Sequence, residues 1–231
     1  GTLARLMRAG VDTGGTFTDV VAADGTVAKV LSTPRDPTAA VMEGVAAVAA
    51  VDALAHGTTV ATNAVLERRG ATVAIVTTAG FADVVEIARQ DRPSLYDPFA
   101  DRPEPMVARE LRFEVRERLD ARGAEIEAVG EVPSIPQRVE SVAVCLLHAD
   151  LEPAHERAVA AALRSRGHDV TCSHEVSPEF REYERLVTTV LNAYIRPVCR
   201  PYLSRPEGVG PTVGVMTSAG GLVPLAEATD R

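Results

Sequence analysis

Residues 11–21 read VDTGGTFTDVV, two glycines and three threonines set between two aspartates. Gly14 and Gly15 have access to backbone angles closed to other residues, and without side chains they let main-chain N–H groups converge on an anion. Hydroxyls at Thr13, Thr16 and Thr18 add donors. Asp12 and Asp19 only accept hydrogen bonds when ionised, and they suit a hydrated Mg²⁺ better than a bare phosphate. Phosphate donors beside a carboxylate for the metal describe a nucleotide site, although the same residues also read as a tight turn. Other phosphate loops fit worse, since no lysine follows as in G-x-x-x-x-G-K-[ST] and no G-x-G-x-x-G opens a helix.

Such a loop has to be carried by something stiff. Apolar residues before Asp12 and after Asp19 bracket it with two strands, which makes it the tip of a β-hairpin. Thr26–Ser32 is expected to be a third strand. Pro34 and Pro37 then turn the chain into an alanine- and valine-rich helix over 38–50. Ala53–His56 leads to a helix capped by Thr58 or Thr59 and ended by Gly70. ATVAIVTTAGF, from Ala71, reads as a buried strand and a turn. Residues 88–109 hold several prolines among Arg, Gln, Asp and Tyr, the composition of a functional loop. A second hairpin is expected over Leu111–Val129, with the turn at LDARGAE, and only a short helix fits between Val132 and Glu140. SVAVCLLH is a buried strand, followed by a helix from Pro153 to about Arg166 that Asp150 caps and Gly167 stops. DVTCSHEV reads as a strand. A long helix follows, capped by Ser177, with Pro178 in its first turn and apolar residues 180, 183, 187, 190, 191 and 194 on one face. TVGVMTSAGG closes with a strand and a glycine turn. Strands alternating with helices place the chain in the α/β class.

Bulk properties narrow the partners. A chain of 231 residues with a formal net charge of -8 lacks the basic face that nucleic acid or an acidic membrane surface demands. The longest apolar segment, Ala39–Ala55, is broken by Glu43, Gly44 and Asp52 and is too short to span a bilayer. Cys145, Cys172 and Cys199 are widely spaced with no C-x-x-C, so neither a disulfide framework nor a zinc site is indicated and a cytoplasmic location is expected. His148, His155, His168 and His174 show no metal spacing. Gly1–Leu6 precede Met7 and read as a leader or tag residue, leaving 7–231 as the region to interpret. Lys29 is the sole lysine, which carries no functional reading on sequence alone.

Six ordered blocks, GVDTGGTFTDVV, HGTTVATNAVLERRGATVAIVTTAGF, EIARQDRPSLYDP, SVAVCLLHADLEPAHE, SHEVSPEFREYERLVTTVLNAYIRP and TSAGGL, resemble the N-terminal part of the hydantoinase/oxoprolinase family. This is the ATP-dependent A-type subunit of hydantoinases, and the family includes 5-oxoprolinase and the acetone and acetophenone carboxylase subunits. The resemblance implies a ribonuclease-H-like fold of the actin, sugar-kinase and heat-shock-chaperone superfamily, with inserted α/β elements and ATP clamped in a cleft. It implies that Gly14, Gly15, Thr16 and Thr18 hold ATP and that Asp12, with Asp19, holds Mg²⁺. It further implies phosphorylation of a lactam or imide carbonyl oxygen, which makes the carbon electrophilic enough for water to open the ring.

Asp12 and His56 are the candidate catalytic residues. His56 stands at a strand end beside Thr58, Thr59 and Asn63, where it either faces substrate or phosphate or satisfies local backbone. Arg89, Gln90, Arg92 and Tyr96 in the proline-rich loop, with Arg181 and Glu184 at the long helix's start, are the candidate substrate residues, because planar arginine donors suit a lactam or its carboxylate. Family members carry a second phosphate motif and an adenosine segment downstream, shorter links stand at GEVPSIPQRVE and SRPEGVGP, and Ala219 replaces a common asparagine. The chain therefore reads as part of a longer subunit that works with its C-terminal half and a B-type second subunit, and little or no ATP turnover is expected from it alone. Two other readings stay open: a non-catalytic assembly module of the same fold, and a small-molecule kinase of the same superfamily.

Overall fold

In the computed structural model, residues 7–32, 37–48, 51–203, 212–217 and 220–230 are described. The expected leader, Pro34, the SRPEGVGP link and Ala219 lie outside them. The elements, in chain order, begin with β1 (Arg8–Thr13), β2 (Phe17–Ala22), β3 (Val27–Leu31), α1 (Pro37–Val48), β4 (Ala53–Thr58) and α2 (Val60–Leu66). Next come β5 (Val73–Thr78), α3 (Val84–Ile87), β6 (Arg112–Val115), β7 (Arg118–Leu119), β8 (Glu125–Glu127) and β9 (Ser141–Cys145). The remainder is α4 (Ala154–Ser165), β10 (Val170–Cys172), α5 (Ser173–Val176), α6 (Glu182–Leu203), β11 (Thr212–Met216), β12 (Leu222–Pro224) and α7 (Leu225–Asp230). Two compact units result, one from Gly1–Gly70 with Ile195–Arg231 and the other from Ala71–Tyr194. No helix among the described residues is long and apolar enough to cross a membrane.

The first unit is a six-stranded mixed sheet in the order β12-β11-β4-β1-β2-β3. Strands β1, β2 and β3 form an antiparallel meander, while β4 runs parallel to β1 and β11 parallel to β4. Alternation decides which face is covered: Ala9, Val11, Thr13, Thr18, Val20 and Ala22 are buried, and Asp12, Phe17 and Val21 are exposed. Val41 and Val45 of α1 complete a cluster with Ala9, Val11, Val20 and Leu54. The approach is so close that a Cβ on Gly44, in the middle of α1, would lie 2.6 Å from Val20 Cγ2. A residue that ordinarily weakens a helix is needed here for room.

A four-stranded parallel sheet, ordered β10-β9-β5-β6, forms the second unit. Its central strands β5 and β9 are buried along their whole length, as continuous apolar runs with both faces covered should be. Four sequence expectations shift here. The hairpin turn does fall at Asp120–Ala124, with Asp120 Oδ1 accepting from the Arg122 and Ala124 N–H groups, but only β7 pairs with β8. Arg112–Val115 joins the parallel sheet instead, because the buried Arg112 is held by the Val107 carbonyl and Glu86. No helix forms over 132–140. Finally, α6 begins at Glu182, since Ser177 closes the short α5 and does not cap the longer helix. Pro153, not Asp150, stands at the start of α4. Asp150 is taken up by Arg185, which is 1% exposed and whose guanidinium also donates to the carbonyls of Leu146 and Glu179.

A second buried ionic group lies nearby in sequence. His155 Nδ1 meets Glu117 Oε2 at 2.6 Å and its Nε2 meets Glu125 Oε2 at 2.8 Å, while Thr78 donates to the other oxygen of Glu117. Burial pulls the imidazole pKa down, but the hydrogen bonds and charges of both carboxylates outweigh it and leave the value raised. The two acids thus favour the protonated form of the ring.

Two predictions follow from this packing. Gly44→Ala, favourable for an isolated helix, should destabilise the chain by about 1–3 kcal/mol through overpacking against Val20, as read by urea unfolding; a gain in stability would mean that α1 stands farther from the sheet. For His155, whose folded pKa lies above its ordinary 6.5, the stabilisation is complete below pH 6.5 and is lost as pH rises through the raised value. Unfolding free energy should therefore decline above pH 6.5 in the wild type, and His155→Gln should remove that decline while lowering stability at pH 6. Identical pH profiles would refute it.

Candidate functional site

The chain turns from β1 into β2 at Gly14, Gly15 and Thr16. Gly14 N–H donates to the Phe17 carbonyl at 3.0 Å, and Ser32 N–H donates to the Thr16 carbonyl at 2.9 Å. Among the described residues the main-chain N–H groups of Gly15 and Thr16 have no partner, nor has the Thr16 hydroxyl. Neither glycine adopts a positive φ, so their value is room and not a special backbone angle. A Cβ at Gly14 would stand 3.2 Å from the Phe17 oxygen, and one at Gly15 3.7 Å from Asn63 Nδ2. The Asn63 amide, which gives one weak bond of 3.4 Å to Thr59, thereby joins the loop's exposed donors.

Asp12 lies opposite Asp19 on β2 and opposite Gly57 on β4. The two acids have different surroundings. Asp19 Oδ1 accepts from Lys29 at 2.8 Å, so the sole lysine neutralises it. Asp12 is exposed and has no hydrogen bond or ion pair among the described residues. Gly57 keeps the space beside it open, since a Cβ there would come to 3.5 Å of Asp12 Oδ1. Of the pair expected to hold a metal, only Asp12 is free to do so. Thr18, expected to face the phosphates, instead points to the covered face, where it is fully buried and bonded to the Ser32 hydroxyl at 2.9 Å.

His56 is placed by register. Its partner across the parallel pair is Val11, whose side chain enters the core, so the imidazole enters it too and is 0% exposed. Its Nε2 lies 2.5 Å from the Tyr202 hydroxyl and 3.3 Å from Thr13 Oγ1. Burial pushes the pKa down to about 4, against a smaller upward pull from Asp12. The ring is neutral near pH 7 and does not reach the surface, so the expected direct contact with substrate or phosphate is not where the ring lies. Tyr202, 6% exposed and with its phenol pKa raised by burial, went unnoticed in the sequence. Nothing in the RPYL tetrapeptide marks it, because its partner is 146 residues away.

The remaining candidates belong to the second unit. Arg89 Nε donates to Glu184 Oε1 at 2.7 Å, with Nη2 donating to the same oxygen, and this holds the Glu184 carboxyl below its usual range. Ala88 and Gln90, on either side of Arg89, take φ of 51° and 57°, a left-handed backbone costly for residues other than glycine. Arg89 and Arg92 line a pocket of about 840 Å³ whose walls include Tyr183, Val187, Val190 and Met106. Arg92 has no ion-pair partner among the described residues. Arg181 stacks over Phe180 at 5.5 Å and borders, with Arg89 and Glu184, a shallower neighbouring depression. Tyr96 is 93% exposed and lines neither. Glu156, Cys172 and His174 come together in this unit as well. Glu156 already accepts from Ser173, His174 and the Leu146 N–H, which leaves its oxygens satisfied by hydrogen bonds without a metal.

Comparison with known proteins adds a family to this geometry. The profile of the hydantoinase/oxoprolinase N-terminal region matches residues 8–167. An uncharacterized protein of Methanocaldococcus jannaschii is 35% identical over 97% of this chain and 37% of its own length. Caprolactamase subunit alpha of Pseudomonas jessenii is 34% identical over 94% of the chain and 36% of its own length. The crystal structure of the ATP-dependent caprolactamase of the same organism superposes with a TM-score of 0.82 at 32% identity, covering 94% of this chain and 36% of that one. The chain thus spans less than two-fifths of each of these relatives.

The loop geometry makes a prediction of its own. Because Gly15 has an ordinary φ and no contact closer than 3.7 Å at its missing Cβ, Gly15→Ala should leave unfolding free energy within about 0.5 kcal/mol and should weaken binding of inorganic phosphate or ATP. A large loss of stability with unchanged binding would make Gly15 a turn residue only.

Proposed function

The chain belongs to the hydantoinase/oxoprolinase family, and on that premise we propose that it carries a phosphate-binding loop of an ATP-dependent enzyme acting on a cyclic amide. The observation behind this reading is the juxtaposition of two N–H groups, at Gly15 and Thr16, with the carboxylate of Asp12, all without a partner among the described residues. Exposed main-chain donors on a stiff hairpin fit phosphate oxygens. A free carboxylate with open space beside it fits a hydrated Mg²⁺, which typically keeps several waters and takes only one or two carboxylates. The order β3-β2-β1-β4-β11, a meander continued by parallel strands, supports the ribonuclease-H-like assignment.

In this reading Gly15, Thr16 and the Asn63 amide bind and orient the phosphates, and Asp12 holds the ion through water. ATP, when bound, would supply the phosphoryl group that a lactam or imide carbonyl oxygen takes up, making the carbon electrophilic enough for water to add; the ring would open as the C–N bond breaks and the nitrogen leaves with a proton, and a second water would release the phosphate. Developing negative charge would meet donors already fixed in place, which is where such sites gain most of their effect. Tyr183, Val187, Val190 and Met106 offer a small ring an apolar wall, beside Arg92, which has no ion-pair partner among the described residues. Arg89 is held by Glu184 and serves to order that wall. The companion B-type subunit and the C-terminal half of the longer relatives belong to the same proposal.

Calorimetric titration of ATP into the chain tests this. Binding should be weak, in the range of roughly 0.1–1 mM, should require Mg²⁺, and should vanish in Asp12→Ala without a change in thermal midpoint. Binding that ignores both Mg²⁺ and Asp12 would remove the metal assignment. Complete absence of binding would favour a non-catalytic assembly module, and transfer of phosphate to a small-molecule hydroxyl would favour a kinase.

A further inference from the structure

The phosphate loop leaves β1 at Thr13, and this residue is gripped on every side. Its carbonyl accepts from the Thr59 N–H at 3.2 Å and from the Thr59 hydroxyl at 3.3 Å, which fastens the strand end to the turn before α2. Its own hydroxyl, in a side chain 2% exposed, lies 3.3 Å from His56 Nε2. That nitrogen in turn meets the Tyr202 hydroxyl at 2.5 Å, with the two rings edge to face at 5.4 Å. The other nitrogen, Nδ1, is buried without a partner among the described residues. The imidazole is therefore oriented at one nitrogen only, and what holds that nitrogen holds the ring. Tyr202 is itself locked in a cluster with Leu203 and Val215, against Val60, Val223 and Leu225.

We propose that Tyr202, acting through His56, is a positioning residue that fixes Thr13 and with it the donor loop at Gly15 and Thr16. The inference rests on the nucleotide reading above but names a device beneath the loop that touches no ligand. A neutral strut suits the task. A charged imidazole in the core would need a buried counter-charge, whereas a phenol and a neutral ring transmit position at the cost of one orphaned nitrogen. The hydroxyl of Thr13 is the last link, so Thr13→Val should mimic loss of the Tyr202 hydroxyl.

Tyr202→Phe keeps the ring and removes the bond, and two readouts in the whole chain decide the matter. Amide hydrogen exchange should quicken by about 10-fold, the worth of one buried hydrogen bond, at Gly14 and Thr59, whose N–H groups bond across the loop base, and stay unchanged at Ala22, bonded to Thr26 at the far end of the hairpin. Magnesium–ATP should bind about 10-fold more weakly to the folded variant. Thr13→Val should show the same pattern and supplies the test if Tyr202→Phe folds poorly. Equal quickening at Gly14, Thr59 and Ala22 would reveal general destabilisation and overturn the proposal, as would unchanged exchange at all three. If the wild type binds no ATP, the nucleotide reading fails first, and the exchange pattern still decides whether the strut exists.

Discussion

A strand that must end in an open loop has a difficulty at its last residue: the hydrogen-bond ladder stops, yet the backbone has to stay put. Here Thr13 resolves it by having its carbonyl and its hydroxyl both engaged from the β4 side of the sheet. The glycines beyond it can then remain unencumbered. Main-chain donors left free are tolerable only where water reaches them, and Gly15 and Thr16 are exposed, so the loop carries no buried unsatisfied group of its own. On the nucleotide proposal, open donors on a fixed base constitute preorganisation, because little ordering would remain to be done on binding an anion.

Order in the second unit has a different origin. Its parallel sheet has a largely apolar centre, but the connections around it are anchored by buried ionisable groups: Arg185 to Asp150 and two carbonyls, His155 between two glutamates, Glu156 among three residues' donors. Each group is multiply bonded, the condition under which a buried charge is tolerable. Such anchors define geometry more than they add stability, and they belong to a unit whose pocket wall includes Ala88, with its left-handed backbone.

How far the sequence could be read depends on the range of the interaction concerned. The first hairpin is legible because alternation and the glycine pair lie within eleven consecutive residues, and the buried runs of β5 and β9 are legible because a doubly covered strand carries consecutive apolar residues, here Val73–Val76 and Val142–Val144. The burial of Thr18 follows from the same alternation as Val20, so parity along β2 held the answer although loop chemistry suggested another. His56 is a harder case. Its face depends on pairing with Val11 across the parallel pair, and no local pattern in ALAHGT declares that register. Tyr202 depends on a partner 146 residues distant. Arg112–Val115 was assigned to the wrong sheet because a four-residue strand with two charged members carries too little pattern to choose its neighbour. The start of α6 was misplaced for a related reason: Ser-Pro is a fair cap signal, but the preceding α5 had already used Ser177.

Lys29 provides the chain's one side-chain amine, and it is spent on Asp19. Any chemistry directed at lysine amines, acetylation included, therefore acts at this hairpin. Removing that charge would leave Asp19 and Asp12 as two unpaired carboxylates directly across an antiparallel pair, a like-charge juxtaposition that a sheet relieves by taking up a proton or a cation. A single acylation would thus convert one unpaired acid beside the loop into two.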